Sequence, residues 1–388
     1  MKKIFTKDLI LVMTGGFFYM MCPMMTTPLV AGYAQSLGSQ GIAMGLIAGA
    51  MNMCSLVMRP FAGNMADIFS KYRLAFAGGI IMCIACLGYM HGSVQALLVS
   101  RIIHGIGFSL CSVAMATWFS GMLPKEKMGS GIGLYGTMNA LSMAIAPVIG
   151  IQIQQHFGYR ASFAAAVTVT VILMVIIQFV GDRGETEVPV EERMERMKKV
   201  SVVDKNAAPV VPVIMMFAIP YFAIQTFIVS YIGERGLDAD ASLFFPVYSA
   251  VLLVMRIGMG PLFDRKPFGF FMWFCSACSF TGIMSLTFMK GNGLLLLAAV
   301  AMAGGYGVMC SVAQSTAIIL AGPEKRGLAN STYYIGLDMG MVGGPVIGGL
   351  LYDHVKPEMF YPVFLFTIVI AMAVYFISLR NVNREKDI

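Results

Sequence analysis

Long apolar stretches separated by short polar segments form the dominant pattern of this 388-residue chain. Residues 9–34, 294–320 and 360–379 are each as long as the roughly 20 helical residues that cross the hydrocarbon core of a bilayer. The alternation of polar and apolar positions that marks a barrel strand is missing, so the pattern predicts membrane-spanning helices. The predicted spans cover residues 8–34, 41–62, 73–91, 95–119, 129–154, 160–181, 209–233, 241–263, 267–289, 293–320, 327–352 and 358–380.

The composition supports an all-α membrane protein with these twelve transmembrane helices. Hydrophobic residues make up 58% of the chain and charged residues 12%, whereas about 25% of the residues are charged in a typical soluble domain. A bilayer accepts so much apolar surface and water does not. Lys2 and Lys3 precede the first apolar run, but this run is too long for a signal peptide and lacks a small-residue cleavage site. We therefore assign it as the first span.

The distribution of basic residues predicts the orientation of the chain. If both termini are cytoplasmic, most of the 27 Lys and Arg residues lie in inner segments. The inner clusters are Lys71/Arg73, Lys125/Lys127, residues 193–199 and Arg384/Lys386, whereas the outer loops hold Arg160, Arg235, Lys290 and Lys356. The net charge of +7 therefore indicates a protein inserted in a membrane and not a nucleic-acid-binding surface. We expect a monomeric, multi-pass protein of the bacterial cytoplasmic membrane. No motif predicts a nucleic-acid partner.

All eight cysteines fall within predicted spans, so the sequence does not support an extracellular disulfide framework. Cys83-x-x-Cys86 and Cys275-x-x-Cys278 have the spacing of metal or redox sites. Each pair lies in the middle of a predicted helix without a neighbouring histidine. We interpret both pairs as small apolar residues at helix contacts, and the sequence predicts no metal ligand and no cofactor.

Several short patterns recur about 198 residues apart, which indicates two homologous halves. The repeated patterns are Arg59-x3-Gly63-x3-Asp67 with Arg256-x3-Gly260-x3-Asp264, Glu126-Lys127-x-Gly129 with Glu324-Lys325-x-Gly327, residues 147–150 with 345–348, and Gly105-x-Gly107 with Gly305-x-Gly307. They predict a six-helix bundle at residues 1–181, a cytoplasmic linker at 182–208 and a second six-helix bundle at 209–388. Residues 191–199 of the linker are expected to form a short amphipathic helix.

Three motifs in the first half carry a family resemblance: Gly63-x-x-Ala66-Asp67-x-x-Ser70-Lys71-x-Arg73, Arg101-x-x-His104-Gly105-x-Gly107 and Ala146-Pro147-x-x-Gly150. They resemble, in that order, the signature loop, the second motif and the antiporter motif of the major facilitator superfamily. The antiporter motif usually begins with glycine. The short loops and the Arg-Pro-Phe-Ala-Gly sequence at 59–63 most resemble the bacterial drug and sugar efflux branch. The resemblance implies two halves related by a pseudo-twofold axis, which rock around a site near the midplane of the membrane.

The repeated Arg-Gly-Asp pattern predicts a cytoplasmic gate. Asp67 and Asp264 each end a predicted helix where the other half presents the N-terminus of a span. A carboxylate there gains about 0.3–1 kcal/mol, or about 2 kcal/mol when it is partly buried. The alternative is that these charges only mark the edge of the membrane. The predicted gate comprises Arg59, Gly63, Asp67, Lys71, Arg73, Arg256, Gly260 and Asp264.

Arg101 and His104 share one face of the fourth span, because they are three residues apart. An arginine inside a membrane usually faces the bundle interior or a water-filled cavity. The family resemblance implies that Arg101 takes part in proton coupling, and His104 is assigned to the same function. The alternative is that Arg101 only binds backbone carbonyls.

Asp338 is the one acidic residue predicted near the middle of a span. Burial disfavours a charged carboxylate, so we assign Asp338 to proton coupling. Pairing with a cationic substrate or with a permanent basic partner are the alternatives. Many drug–proton antiporters carry an acid in the first span, whereas the first span here has only Asp8 at its start.

Other polar residues at membrane depth either join helices to one another or line a substrate cavity with little charge. The predicted cavity residues are Asn52, Asn139, Gln225, Tyr248, Tyr306, Gln314 and Tyr334. The 34 methionines and 27 phenylalanines would give such a cavity adaptable apolar walls.

The predicted function is secondary active transport of a small organic compound by alternating access, with proton-coupled efflux as the first choice. Proton-coupled uptake or facilitated diffusion of a sugar, an organic acid or another nutrient is the alternative. An enzyme is not predicted, because no Walker loop, HExxH or GxSxG-type signature occurs.

Overall fold

The computed structural model describes residues 6–39, 42–186, 188–189, 192–193 and 201–379. The predicted amphipathic helix at 191–199 falls almost entirely outside these residues, as do Arg384 and Lys386. The helices are α1 (Lys7–Ser36), α2 (Ile42–Ile68), α3 (Lys71–Tyr89), α4 (Val94–Gly121), α5 (Met128–Gln178), α6 (Val210–Glu234), α7 (Phe244–Gly258), α8 (Gly260–Arg265), α9 (Phe268–Thr287), α10 (Asn292–Met302), α11 (Val308–Ala321), α12 (Arg326–His354), α13 (Pro357–Val363) and α14 (Leu365–Val374). The prediction of an all-α protein is confirmed.

Nine helical stretches in the described ranges are long and apolar enough to cross a membrane. The longest, α5, supplies two predicted spans, because Gly158 interrupts it with φ 83° and ψ 171°. The Ser162 hydroxyl donates to the carbonyl of Gly150 at 2.9 Å, although twelve residues of straight helix would separate them by about 18 Å. The chain therefore folds back at Gly158, consistent with spans at 129–154 and 160–181.

Other predicted spans are interrupted rather than continuous. The span at 241–263 consists of α7 and α8, which meet at Met259. Pro261 explains this break, since proline lacks a backbone N–H and its ring clashes with the carbonyl four residues earlier. A π-helical turn at Ala303–Gly307 joins α10 to α11, and another follows α14 at Tyr375–Leu379.

The chain forms two compact units. The first unit comprises Met1–Leu123, Met138–Asp204 and Ala321–Ser331, and the second comprises Pro124–Thr137, Lys205–Leu320 and Thr332–Ile388. They follow the predicted bundles except that each includes one short segment from the other predicted half. The division into residues 1–181 and 209–388 stays a prediction.

Small residues bring α3 and α4 together in the first unit. A Cβ added at Gly78 would lie 2.8 Å from the carbonyl oxygen of Gly107, and one added at Gly107 would lie 2.8 Å from that of Gly78. Such contacts are typical of membrane helices, where small side chains allow close backbone approach. This packing fixes the position of α4, which carries Arg101 and His104 on its buried side.

The basic residues predict that the 182–208 linker is cytoplasmic and that the loop around Lys290 is on the outside. Asn206 and Lys290 are both exposed, so single cysteines at these positions form a matched pair. In sealed cells an impermeant maleimide should label the Lys290→Cys variant and leave the Asn206→Cys variant unlabelled. Disruption of the cells should make the second variant reactive. The opposite pattern in sealed cells would reverse the predicted orientation.

Candidate functional site

Asp67 lies at the end of α2, and its carboxylate binds the first turn of α12. The backbone N–H of Gly327 donates to Oδ1 at 2.6 Å, and that of Leu328 donates to Oδ2 at 2.9 Å. The first N–H groups of a helix have no partner within it and form the positive end of the helix dipole. Both oxygens of Asp67 therefore complete the start of α12 within the first unit.

Asp264 makes the corresponding contact in the second unit, from α8 to the start of α5. The backbone N–H of Ser130 donates to its Oδ1 at 2.9 Å, and Nζ of Lys127 lies 3.4 Å from its Oδ2. The two aspartates thus have the same kind of partner in unequal arrangements. Asp67 binds two backbone N–H groups, whereas Asp264 binds one N–H group and one ammonium.

Glycines allow these carboxylates to reach the helix starts. A Cβ added at Gly327 would lie 2.5 Å from the carbonyl oxygen of Gly63 and 2.8 Å from Oδ1 of Asp67. One added at Gly129 would lie 2.6 Å from the carbonyl oxygen of Phe263. Gly260 is less constrained, since its nearest neighbour would be 3.6 Å away, at Ser130. The repeated sequence therefore gives close backbone approach at Gly63 and not at Gly260.

The linker packs against the end of α2 and the start of α3, which carries Lys71 and Arg73. The backbone N–H of Lys71 donates to the carbonyl of Gly184 at 3.1 Å. Asn64 and Ser201 form a reciprocal pair, in which the amide donates to the Ser201 carbonyl at 2.7 Å and the Ser201 N–H donates back at 3.1 Å. Lys71 is half-buried and Arg73 is exposed. These contacts hold the end of α2, and with it Asp67, in place.

The two repeated arginines have different surroundings. Arg59 is 1% exposed; its Nη1 donates to the Ser112 hydroxyl at 2.5 Å, and its guanidinium lies 5.4 Å from the ring centroid of Phe108. Its backbone carbonyl accepts a hydrogen bond from the Ser331 hydroxyl. Arg59 is therefore held inside the first unit close to the residues that Asp67 binds.

Arg256 is also buried, but its guanidinium is only partly hydrogen-bonded within the described part of the chain. Its Nη2 donates to the carbonyl of Gly307 at 3.2 Å. Among the described residues, Nε and Nη1 have no hydrogen-bond partner. The guanidinium packs against α5, where a Cβ added at Gly136 would lie 2.7 Å from Nη1. Arg256 thus presents unused donors inside the second unit.

An aromatic cluster of Tyr221, Tyr248 and Tyr306 lies in the same unit as Arg256. The ring of Tyr221 stacks on Tyr306 at 4.3 Å between centroids and lies 4.8 Å from Tyr248. Tyr248 and Arg256 are eight residues apart on the buried face of α7. Arg256 donates to Gly307, which follows Tyr306 in the π-helical turn. The cluster and the arginine therefore border one region around this turn.

The remaining predicted cavity residues are distributed over both units. Tyr334 on α12 and Gln314 on α11 are each 6% exposed and belong to the second unit. Gln225 of that unit is exposed, and Asn52 and Asn139 are half-buried residues of the first unit. The structure therefore brings Tyr248 and Tyr306 together, and the cavity role of the other residues stays a prediction.

The predicted coupling residues fall in different units. Arg101 is completely buried in the first unit and donates to the carbonyls of Ile47 at 3.3 Å and Ala48 at 2.6 Å. Its Nη1 lies 3.4 Å from the sulfur of Met51. The sequence analysis gave such contacts with backbone carbonyls as the alternative to a role of Arg101 in proton coupling. Asp338, in the second unit, is 7% exposed on α12.

His104 lies one helical turn from Arg101, and the hydroxyl of Tyr89 interacts with both side chains. Nδ1 of His104 lies 2.7 Å from the hydroxyl of Tyr89, and its Nε2 lies 3.6 Å from the sulfur of Cys22. The ring is completely buried between α1, α3 and α4.

Sequence reasoning missed Tyr221, Ser130 and Lys127. Tyr221 lies in an apolar run without any motif, and only the rotation of α6 places its ring between Tyr248 and Tyr306. Lys127 and Ser130 could have been found from the sequence. Lys127 belongs to the repeated Glu-Lys-x-Gly pattern, and Ser130 directly follows the glycine of that pattern.

Comparison with known proteins identifies the family. The family model of the Major Facilitator Superfamily matches residues 12–327. An uncharacterized MFS-type transporter of Methanocaldococcus jannaschii is 20% identical over 92% of this chain and 93% of its own length. The staphylopine export protein of Staphylococcus aureus is 21% identical over 57% of each chain. The crystal structure of the human organic anion transporter MFSD10 (TETRAN) superimposes with a TM-score of 0.74 at 11% identity, over 95% of this chain and 100% of that chain.

The helices long enough to cross a membrane, the repeated carboxylate contacts at helix starts and the family match agree with one another. This chain is a multi-pass membrane transporter that belongs to the Major Facilitator Superfamily.

Proposed function

We propose that this protein exports a small organic compound across the bacterial cytoplasmic membrane in exchange for protons, with both termini in the cytoplasm. The observation that carries this proposal is the buried group of Tyr221, Tyr248 and Tyr306 beside the partly unpaired Arg256. Ligand sites are usually apolar and aromatic, with a few polar groups that orient the ligand. This group has that composition.

Arg256 is the proposed anchor for an acceptor group of the transported compound, such as a carboxylate. A buried donor without a partner costs about 1–3 kcal/mol, and more when it is charged. A compound that accepts hydrogen bonds from Nε and Nη1 removes this penalty. The tyrosine rings would contact an apolar or aromatic body of the same compound.

Asp338 is the proposed proton carrier. Its carboxyl is buried in α12, twelve residues after the helix begins, and it belongs to the same unit as the aromatic cluster. The proton gradient supplies enough free energy for export, since each charge gains about 2.3 kcal/mol per 100 mV and each pH unit adds about 1.4 kcal/mol.

Export is the favoured direction because one relative is named as an export protein. The shared fold with the organic anion transporter, at 11% identity, does not identify a substrate for this chain. Uptake of an organic acid or another nutrient is the second candidate, since Ala146 occupies the position of the usual first glycine of the antiporter motif.

A thermal-shift screen of compounds should first identify a ligand. Uncoupler-sensitive accumulation of that ligand in everted vesicles then indicates export, whereas accumulation only in right-side-out vesicles indicates uptake.

The first functional prediction concerns the proposed gate. Asp67→Asn places an amide NH₂ against one of two backbone N–H donors, and Asp264→Asn places it beside Lys127. Loss of a hydrogen bond to a charged group is worth about 1.5–3 kcal/mol. We expect each variant to reduce the transport rate about tenfold or more, while the affinity for the ligand in a thermal-shift titration changes less than threefold.

The matched control for the gate is Asp238→Asn, which changes an exposed loop carboxylate and should transport at the normal rate. Loss of ligand binding by Asp67→Asn or Asp264→Asn, with conformational exchange unchanged, would mean that the residue is part of a binding site and not of a gate.

The second functional prediction concerns coupling through Asp338. Asp338→Asn mimics a permanently protonated carboxyl that cannot release its proton. We therefore expect no accumulation against a gradient, with downhill transport and counterflow retained. Uphill transport by this variant with the normal pH dependence would exclude Asp338 as the proton carrier. Selective loss of binding for cationic compounds would instead indicate the cation-binding alternative.

The third functional prediction concerns Arg256. Arg256→Gln should weaken binding of a carboxylate ligand at least tenfold and should affect its neutral amide analogue much less, because only the charged compound pairs with the guanidinium. Arg265→Gln, which changes an exposed arginine of α8, is the control and should leave both affinities unchanged. Equal losses for the charged and neutral compounds would exclude Arg256 as the anchor.

A further inference from the structure

We propose that Cys22, Cys86 and His104 form a binding site for a soft d¹⁰ cation, with Zn²⁺ as the ion that fits best. The three residues come from α1, α3 and α4 of the first unit, and each is completely buried. Their ligand atoms, two sulfurs and one imidazole nitrogen, all lie within 4.8 Å of one another. This site goes beyond the proposed transport function, and its tests require no transported compound.

The spacing of the ligand atoms matches that of a zinc site. The two sulfurs are 3.6 Å apart, and Sγ of Cys22 lies 3.6 Å from Nε2 of His104. With Zn–S bonds of about 2.3 Å and Zn–N bonds of about 2.0–2.1 Å, tetrahedral angles place two sulfurs about 3.8 Å apart and a sulfur and a nitrogen about 3.6 Å apart. Two edges of the triangle therefore have the required lengths, and the third, between Cys86 and His104, is at most 4.8 Å.

Tyr89 positions the imidazole for this role. Its hydroxyl lies 2.7 Å from Nδ1 of His104, so in the bound state Nδ1–H donates to the tyrosine oxygen and leaves the Nε2 lone pair for the ion. Histidines that bind metals commonly donate their other ring N–H to a neighbouring group, which fixes the tautomer and the ring orientation. Tyr89 is itself 1% exposed, so this arrangement is held by packing.

The ligand types favour a soft cation. Thiolate and imidazole ligands select Zn²⁺ and Cu⁺ over Mg²⁺ and Ca²⁺, which prefer oxygen ligands. The buried guanidinium of Arg101 adds a positive charge that acts on Cys86, so the net charge does not separate Zn²⁺ from Cu⁺. The assignment of Zn²⁺ therefore rests on the tetrahedral spacing of the ligand atoms.

The bound ion would join three helices of the first unit. Before binding, α1, α3 and α4 meet at this point through side-chain packing and through the weak contacts of the Cys22 thiol with Cys86 and with the imidazole of His104. An ion that binds the folded state and not the unfolded state raises the unfolding temperature with its concentration. Binding therefore has a readout in stability.

The test uses the full-length protein in detergent, reduced, free of any histidine tag, and freed of metal with a chelator. We expect one equivalent of Zn²⁺ per chain to remain after gel filtration and to raise the unfolding temperature. Co²⁺ should give a thiolate-to-cobalt charge-transfer band that Zn²⁺ abolishes. Absence of both stoichiometric Zn²⁺ and the band in the wild-type protein would overturn the proposal.

Variants localise the site. Cys86→Ser and Cys22→Ser should each remove the cobalt band and weaken Zn²⁺ binding by more than about 100-fold. Tyr89→Phe should weaken Zn²⁺ binding about tenfold, as is usual for the loss of a group that orients a ligand. Cys83→Ser is the matched control, because Cys83 lies one turn from Cys86 on α3 and is not part of the cluster. It should bind Zn²⁺ normally.

Three outcomes decide against the zinc site. Retained binding by both Cys86→Ser and Cys22→Ser would place the ion elsewhere, provided that gel filtration and circular dichroism show folded variants. Retention of Cu⁺ but not Zn²⁺ would exclude the zinc assignment. The third outcome is a disulfide. If protein isolated without reductant lacks two titratable thiols and binds no Zn²⁺ after reduction, then Cys22 and Cys86 form a disulfide in place of the metal site.

Discussion

The structure depends on two carboxylates that accept hydrogen bonds from the exposed backbone at the start of a helix. The first N–H groups of a span have no partner within their own helix, and an unpaired N–H group is costly away from water. Asp67 supplies both of its oxygens to α12, and Asp264 supplies one oxygen to α5. In each unit this contact attaches a short segment, residues 321–331 or 124–137, that is distant in sequence from most of that unit.

The two repeated motifs have diverged in their physical contacts more than in their sequence. Gly63 lies at a close backbone approach and Gly260 does not. Arg59 donates to Ser112 and lies against Phe108, whereas Arg256 retains two nitrogens without partners among the described residues. Because Asp67 binds backbone N–H groups with both oxygens and Asp264 shares its charge with a half-exposed lysine, salt should weaken the second contact more than the first.

Those features that depend on length and local chemistry could be predicted from the sequence. Apolar runs of about 20 residues predict spans whatever their neighbours are, and the boundary predicted between residues 154 and 160 contains Gly158. The break at Met259 was not predicted, although Pro261 marks it through its missing N–H. The carboxylate contacts could be predicted from a different signal. The recurrence of the Asp67 motif at Asp264 predicts that both carboxylates have the same role at helix starts.

The contacts among Cys22, Cys86 and His104, and those of Tyr221, could not be predicted in this way. They depend on how each helix is rotated about its axis, and spans that are apolar on every face contain little information on that rotation. The Cys-x-x-Cys spacing on α3 is no guide to the cluster, because only Cys86 belongs to it and its partners come from other helices.

The first unit contains segments that are far apart in the sequence, and this has a consequence for the synthesis of the protein. Asp67 leaves the ribosome long before the residues that it binds, and at about 5–20 residues per second the delay before Gly327 is made is roughly 13–50 s. During that time the α2 carboxylate has no α12 to bind, so the spans before the linker must enter the membrane without this contact. A fragment that ends in the linker therefore contains Met1–Leu123 but lacks Ala321–Ser331, which belongs to the same unit.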